Sequence, residues 1–253
     1  MSVLELQRGV TYGPIHSRRL GRSLGINLLP AGRKVCTFDC VYCQYGSAET
    51  VTDRGAKTGF PSLETVLDKL EEAIGRQASP PDYLTFSGNG EPTLHPQFAE
   101  IVAEVRRLRD RMCPEARLAI LSNSTLLHRG EVRRAVEALD DPIMKLDAGE
   151  AMTLQRINRP GPGVSFDNIM DGLAALPRLI IQSMIISGEV ANAEGEALEG
   201  WLSAIAQLAP LKVQIYSTER PVAEAGVHRV SKEVLNGLAK LAQERTGIPV
   251  AAY

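Results

Sequence analysis

Short β-rich apolar runs alternate with stretches of helical period along most of the chain. Leu24–Leu29 reads as a first strand, and Ser62 as the cap of a helix in which Leu63, Val66, Leu67, Leu70 and Ile74 share one face. The pattern repeats with Tyr83–Ser87 as a strand, a helix from about Pro96 that turns Phe98, Ile101, Val102 and Val105 inward, and Leu118–Leu121 as a third strand. A helix around Glu131–Leu139 follows. Next come a strand at Ile143–Leu146, a helix capped by Ser165 that carries Phe166, Ile169, Met170 and Leu173, and a strand at Leu179–Ile186. A helix with Leu198, Trp201, Leu202, Ile205 and Leu208, a sixth strand at Val213–Tyr216 and a helix from Ser231 to near Gly247 complete the series.

Strand-then-helix units in succession predict an α/β fold with a parallel sheet and right-handed crossovers, either curled toward a barrel or open and doubly wound. Both versions bind ligands at the carboxyl ends of the strands. No composition break or repeat divides the chain, so residues 1–253 read as one domain, with 1–22 as a lead-in and 36–43 as a ligand loop.

With 44% hydrophobic and 23% charged residues, the composition is that of a globular chain able to bury a large core. No run of about 18 apolar residues occurs and no secretory signal layout opens the chain, so a cytoplasmic location without membrane contact is expected. The net charge of −2 hides an uneven spread: between Gln7 and Phe38 there is no acid, while Arg8, Arg18, Arg19, Arg22, Arg33 and Lys34 are present. That stretch is a candidate anion-binding surface.

Three of the four cysteines, Cys36, Cys40 and Cys43, fall in a C-x₃-C-x₂-C loop just after the first strand, and Cys113 stands alone at the end of an arginine-rich helix. This is not a disulfide framework; thiolates so spaced reach three corners of one iron–sulfur cluster and leave one iron open. The competing reading is a Cys₃His zinc site completed by His16 or His95, in a binding protein without redox chemistry. Cys113 reads as a passive, partly buried thiol.

The motif, with the aromatic Tyr42 before the last cysteine, resembles that of the radical S-adenosylmethionine (radical SAM) enzymes. The resemblance covers nearly the whole chain and implies a partial (β/α)₆ TIM-like barrel, a [4Fe–4S] cluster on Cys36, Cys40 and Cys43, and S-adenosylmethionine chelating the open iron. It further implies reductive cleavage to a 5′-deoxyadenosyl radical that abstracts hydrogen from a substrate, an external flavodoxin- or ferredoxin-like electron donor, and adenine beside Tyr42.

Gly88-Asn89-Gly90-Glu91-Pro92 follows the second strand. By itself it reads as a β-turn whose glycines permit close backbone approach and whose Glu91 can accept from an ammonium group. It also resembles the family's G-G-E-P-like segment, which binds the methionyl amine. The resemblance further makes Asn123, Lys145 and Asp147, at the ends of strands three and four, contacts for ribose or the methionyl carboxylate, although Lys145 and Asp147 equally read as an ion pair at a barrel mouth. Lys145 could also hold a substrate carbonyl or phosphate, Ser187 could line the ribose, and Ile215 and Tyr216 could offer backbone to adenine. His16, Arg18 and Arg19 before the first strand, and Arg159 and Arg220 in the loops Asn158–Gly161 and Glu219–Pro221, suit a phosphate- or carboxylate-bearing substrate, with solvated loop charge as the alternative.

Gly13–Gly21, Gly25–Pro30, Ile157–Pro160 and Gln214–Tyr216 resemble a radical SAM group related by similarity to the wyosine-base synthetases that modify tRNA. Those enzymes carry a second three-cysteine cluster, which the lone Cys113 excludes here. The expected substrate therefore stays open between tRNA, met through the acid-free stretch, and a partner protein, as in glycyl-radical activases.

Overall fold

The computed structural model describes residues 3–52, 58–220 and 222–253; Pro221 of the Glu219–Pro221 loop lies outside them. In chain order the elements are β1 (Thr11–Ser17), β2 (Gly21–Ile26), β3 (Val35–Cys36), β4 (Thr50–Val51), α1 (Leu63–Gly75), β5 (Tyr83–Phe86), α2 (Phe98–Met112), β6 (Arg117–Ser122), α3 (Gly130–Glu137) and β7 (Asp141–Lys145). They continue with α4 (Ala151–Ile157), α5 (Phe166–Ala174), β8 (Ile180–Met184), β9 (Ile186–Gly188), α6 (Gly195–Leu208), β10 (Lys212–Tyr216), β11 (Val227–Arg229), α7 (Lys232–Thr246) and β12 (Val250–Ala252).

Eight strands form the main sheet in the order β1-β2-β5-β6-β7-β8-β10-β12. Every pairing from β2 to β12 is parallel, and β1 alone runs antiparallel, against β2. The six anticipated strand-then-helix units are present, and the fold is the mixed α/β, partial TIM-like barrel. Ser62 and Ser165 cap α1 and α5 through their side chains, as their positions predicted, and Ser231, read as the start of a helix, caps α7 in the same way.

Four features depart from the sequence reading. The lead-in folds as β1 and extends the sheet. The short helix α4, absent from the sequence reading, stands between β7 and α5. The strand expected at Leu179–Ile186 breaks in two where Ile185 donates to the Tyr216 carbonyl, and its second half, β9, leaves the main sheet to pair with β11. Asn192 holds the break, donating to the Asp147 and Met184 carbonyls and accepting from the Ile186 N–H. Finally, β12 adds a parallel strand beyond the sixth.

The period of two along the strands separates core from site. Leu24 and Ile26, Leu84 and Phe86, Leu118 and Ile120, and Val213 and Ile215 pack against the helices in the main core. The residues between them, Ser23, Gly25, Thr85, Gln182 and Tyr216 among others, face a cavity enclosed by the curled sheet. Leu20, Ala119, Ile143 and Ile180 form an apolar cluster of their own with Tyr83 and Leu121 beside it. Burial of apolar surface on both faces leaves the strand ends as the place where polar groups collect.

Candidate active site

The cysteine loop is tied by backbone bonds to the strand-end loops around it. Val35 donates to the Asn89 carbonyl at 3.0 Å and accepts from the Glu91 N–H at 3.1 Å; Asp39 and Val41 donate to the Asn158 and Ile157 carbonyls, both at 3.0 Å. Gly90 makes the first junction possible: its φ is +135°, and a Cβ there would stand 1.8 Å from the Val35 carbonyl oxygen. The glycines of the Gly88–Pro92 segment thus serve close approach to the cysteine loop.

Cys36, Cys40 and Cys43 line one cavity of about 530 Å³. Cys36 Sγ accepts from Asn123 Nδ2 at 3.5 Å and Cys40 Sγ from Asn158 Nδ2 at 3.3 Å. The Lys34 ammonium, only 3% exposed, sits beside Cys43, donates to the Gly46 carbonyl and lies 3.8 Å from Asp39. Burial, reinforced by the neighbouring Asp147, pushes the Cys40 thiol up to about 11, and burial raises Cys36 further, so loading these sulfurs with metal must expel their protons.

These residues fit an iron–sulfur cluster. Three soft sulfur donors share one cavity, N–H donors reach two of the sulfurs, and a cation stands beside the third. The zinc reading fares worse. His95 lies outside the cavity, with Nε2 on the Pro61 carbonyl at 2.9 Å and Nδ1 accepting from the Gln97 N–H at 3.1 Å. Of the two histidines offered for a zinc site, His16 lines the cavity and His95 does not.

Around the cavity the anticipated residues take different places. Gly88, Gly90, Glu91, Asn123, Lys145, Tyr42 and Tyr216 line it. The Glu91 carboxylate is already met by four donors: Thr93 N–H at 3.1 Å, Thr93 Oγ1 at 2.6 Å, Ser122 Oγ at 2.9 Å and Asn123 N–H at 2.6 Å. Burial nonetheless raises its proton affinity. The Asn89 side chain points away, bonding both backbone groups of Gln7 and the Pro30 carbonyl. Asp147 sits behind the cavity wall, where it accepts from Tyr42 Oη, Asn158 Nδ2 and the Met184 N–H.

Lys145 Nζ lies 3.1 Å from Tyr216 Oη and 3.3 Å from Asp147 Oδ1, and faces the Tyr42 ring at 5.0 Å. Burial alone would depress the lysine, but Asp147 and Tyr216 outweigh it and hold the proton on. The ion pair read as one alternative is therefore present. The Ile215 and Tyr216 carbonyls are taken by the Tyr253 and Ile185 N–H groups, and Ser187 lies in β9 outside the cavity lining.

His16, Arg18, Arg19 and Arg220 line the same cavity, the first three coming from the end of β1 and the β1–β2 turn beside the start of β2. Arg18 pairs with Glu219 at 2.9 Å, whereas the Arg19 guanidinium lies over Tyr216 at 4.5 Å and Tyr253 at 5.9 Å. Arg159 instead pairs with Glu224 at 2.7 Å and does not line the cavity. Sequence reasoning missed the placement of Lys34 and the Asn158 side chain. Lys34 was legible only as part of a basic stretch, although its position next to the apolar Val35 hinted at burial. Cys113, at the end of α2, is buried in the core.

A model of the radical SAM superfamily matches residues 34–195. A UPF0026 protein of Methanocaldococcus jannaschii is 34% identical over 244 residues, covering 94% of this chain and 72% of that protein. Among solved structures, TYW1 with a lysine–pyruvate adduct bound aligns with a TM-score of 0.65 at 17% identity, over 88% of this chain and 73% of its own. A radical SAM methyltransferase from Sphaerobacter thermophilus aligns at 0.63 and 15% identity, over 91% and 65%. None of the described helices is long and apolar enough to cross a membrane. The cysteine-lined cavity at the strand ends, the partial barrel and these matches together establish that the chain belongs to the radical SAM superfamily of enzymes, whose members use a [4Fe–4S] cluster and S-adenosylmethionine.

Proposed function

We propose that Cys36, Cys40 and Cys43 hold the cluster of a radical SAM enzyme acting on an anionic substrate, for which tRNA is the leading candidate. Bound together, the cluster and S-adenosylmethionine supply a 5′-deoxyadenosyl radical after one-electron reduction by a flavodoxin- or ferredoxin-like donor. The observation that carries the reading is that the three thiols line one cavity together with the basic groups His16, Arg18, Arg19 and Arg220.

Within this reading the residues divide the work by position. The Gly88–Glu91 segment, Asn123 and Tyr42 border the cofactor space next to the sulfurs. Lys145, kept protonated by Asp147 and Tyr216, presents a cation to a carboxylate or phosphate. As an ammonium it is not a carbonyl nucleophile, so a lysine–pyruvate adduct of the kind found in TYW1 would first require that proton to leave. The enclosing sheet keeps bulk water from the reacting centre.

Anaerobic purification and iron analysis, followed by dithionite-driven cleavage of S-adenosylmethionine, test the assignment. Wild type should be brown, carry about four irons per chain and release 5′-deoxyadenosine. Cys40→Ala should lose iron and cleavage together. Undiminished cleavage by that variant, or one zinc and no iron in wild type, overturns the assignment. A stable radical on a co-purified protein would move the substrate from tRNA to a partner chain.

A further inference from the structure

We propose that Asn123, Asn158 and Lys34 form a shell that sets the reduction potential of the cluster, with amide N–H groups at the Cys36 and Cys40 sulfurs and a buried ammonium lining the same cavity as Cys43. The inference rests on the cluster assignment above and goes beyond it.

The three groups come from separate parts of the fold. Asn123 follows β6 and reaches Cys36 Sγ at 3.5 Å, and Asn158 closes α4 and reaches Cys40 Sγ at 3.3 Å. Lys34 precedes β3, is buried from solvent and lines the same cavity as Cys43. No local sequence relation links the two asparagines to the cysteines they meet, so the pairing of an amide donor with Cys36 and with Cys40 is a product of the tertiary fold.

Asn158 carries the argument furthest. Its Nδ2 faces Cys40 Sγ, Tyr42 Oη at 3.1 Å and Asp147 Oδ2 at 2.7 Å, while its Oδ1 is, among the described residues, the one buried side-chain polar atom without a partner. The reverse orientation would set the amide oxygen against the Asp147 carboxylate and the Cys40 sulfur. The fold thus aims the donor side of this amide at the metal ligand and leaves its acceptor side unmatched. Lys34 shows a related bias, since its buried ammonium is held by one carbonyl and a carboxylate 3.8 Å away while it lines the cavity of the three sulfurs.

Reduction adds one electron to a cluster whose thiolate ligands already carry negative charge. N–H dipoles and a fixed cation at the sulfurs stabilise the added charge, so they favour the reduced form and raise the potential. Removing a donor should make the cluster harder to reduce without changing its ligands.

The test is a redox titration of the anaerobic, iron-loaded protein with dithionite and mediator dyes, following the electron paramagnetic resonance signal of the reduced cluster. Lys34→Met should lower the equilibrium constant for reduction about tenfold, which for one electron is about 59 mV. Asn158→Leu should lower it severalfold, and Lys34→Arg should restore the wild-type value. Fully loaded Lys34→Met and Asn158→Leu variants with the wild-type midpoint would overturn the proposal while leaving the cluster assignment standing; a wild type that loads no iron removes that assignment. Should the variants fail to load, wild-type protein grown with ¹⁵N-amide asparagine decides: hyperfine coupling of ¹⁵N to the reduced cluster is expected, and its absence overturns the proposal.

Discussion

At the scale of the residue, Glu91 shows how a motif can be right in place and broader in role. Its spacing after the second strand marked it as an acceptor for an ammonium group, and it does border the cavity. Its carboxylate also joins two segments, its own loop through Thr93 and the end of β6 through Ser122 and Asn123. Glu91→Ala should therefore weaken S-adenosylmethionine binding and also strand buried donors, at a cost of about 1–3 kcal/mol in stability. Isothermal titration and urea unfolding of the same preparation separate the two effects. Unchanged affinity beside a lowered urea midpoint would leave Glu91 a purely structural residue. Asn89 and Asp147 stand one step behind the cavity for a similar reason: each satisfies neighbouring backbone, which a linear motif does not display.

At the scale of the element, β7 and β8 present Lys145 and Gln182 to the cavity because α6 holds their ends in place. Trp201 of α6 is 1% exposed, and its Nε1 donates to the Leu146 carbonyl at 3.1 Å and Ser183 Oγ at 2.9 Å. Ser183 Oγ itself bonds the Leu146 carbonyl at 2.5 Å, so that acceptor keeps a partner if the indole is lost. Trp201→Phe should then cost only about 1 kcal/mol, the usual net worth of a hydrogen bond. Trp201→Ala should cost about 3–5 kcal/mol through the cavity it opens. Urea denaturation followed by circular dichroism measures both; equal losses would mean that the indole N–H, not the packing, dominates. Helical faces such as Phe98, Ile101, Val102 and Val105 were legible because burial imposes their period directly. The break between β8 and β9 was not, since it depends on the Asn192 side chain reaching Asp147 and Met184 across the fold.

At the scale of the whole molecule, a chain of net charge −2 brings Arg18, Arg19 and Lys34 of its acid-free stretch to the lining of one cavity. If a phosphate backbone docks there, tRNA binding should fall steeply with salt, as counterion release requires. Arg18 is already paired with Glu219, whereas among the described residues Arg19 meets aromatic rings and no carboxylate. Arg19→Ala should accordingly weaken binding more than Arg18→Ala and reduce the slope of log affinity against log salt by about 1. Filter binding across a salt series measures this, and no salt-sensitive binding at low ionic strength would remove tRNA from consideration. The amino-acid sequence by itself determined the cysteine spacing, the strand-helix alternation and the basic lead-in, because ligand spacing and burial period are local properties. Only the tertiary structure decided that Asn123 meets Cys36 from 87 positions away and that Asn158 meets Cys40 from 118. Only it seated Lys34 against the same ligand loop. Such contacts follow from the order and curl of the parallel strands, which bring distant strand ends to one mouth, and no local pattern in the chain encodes that meeting.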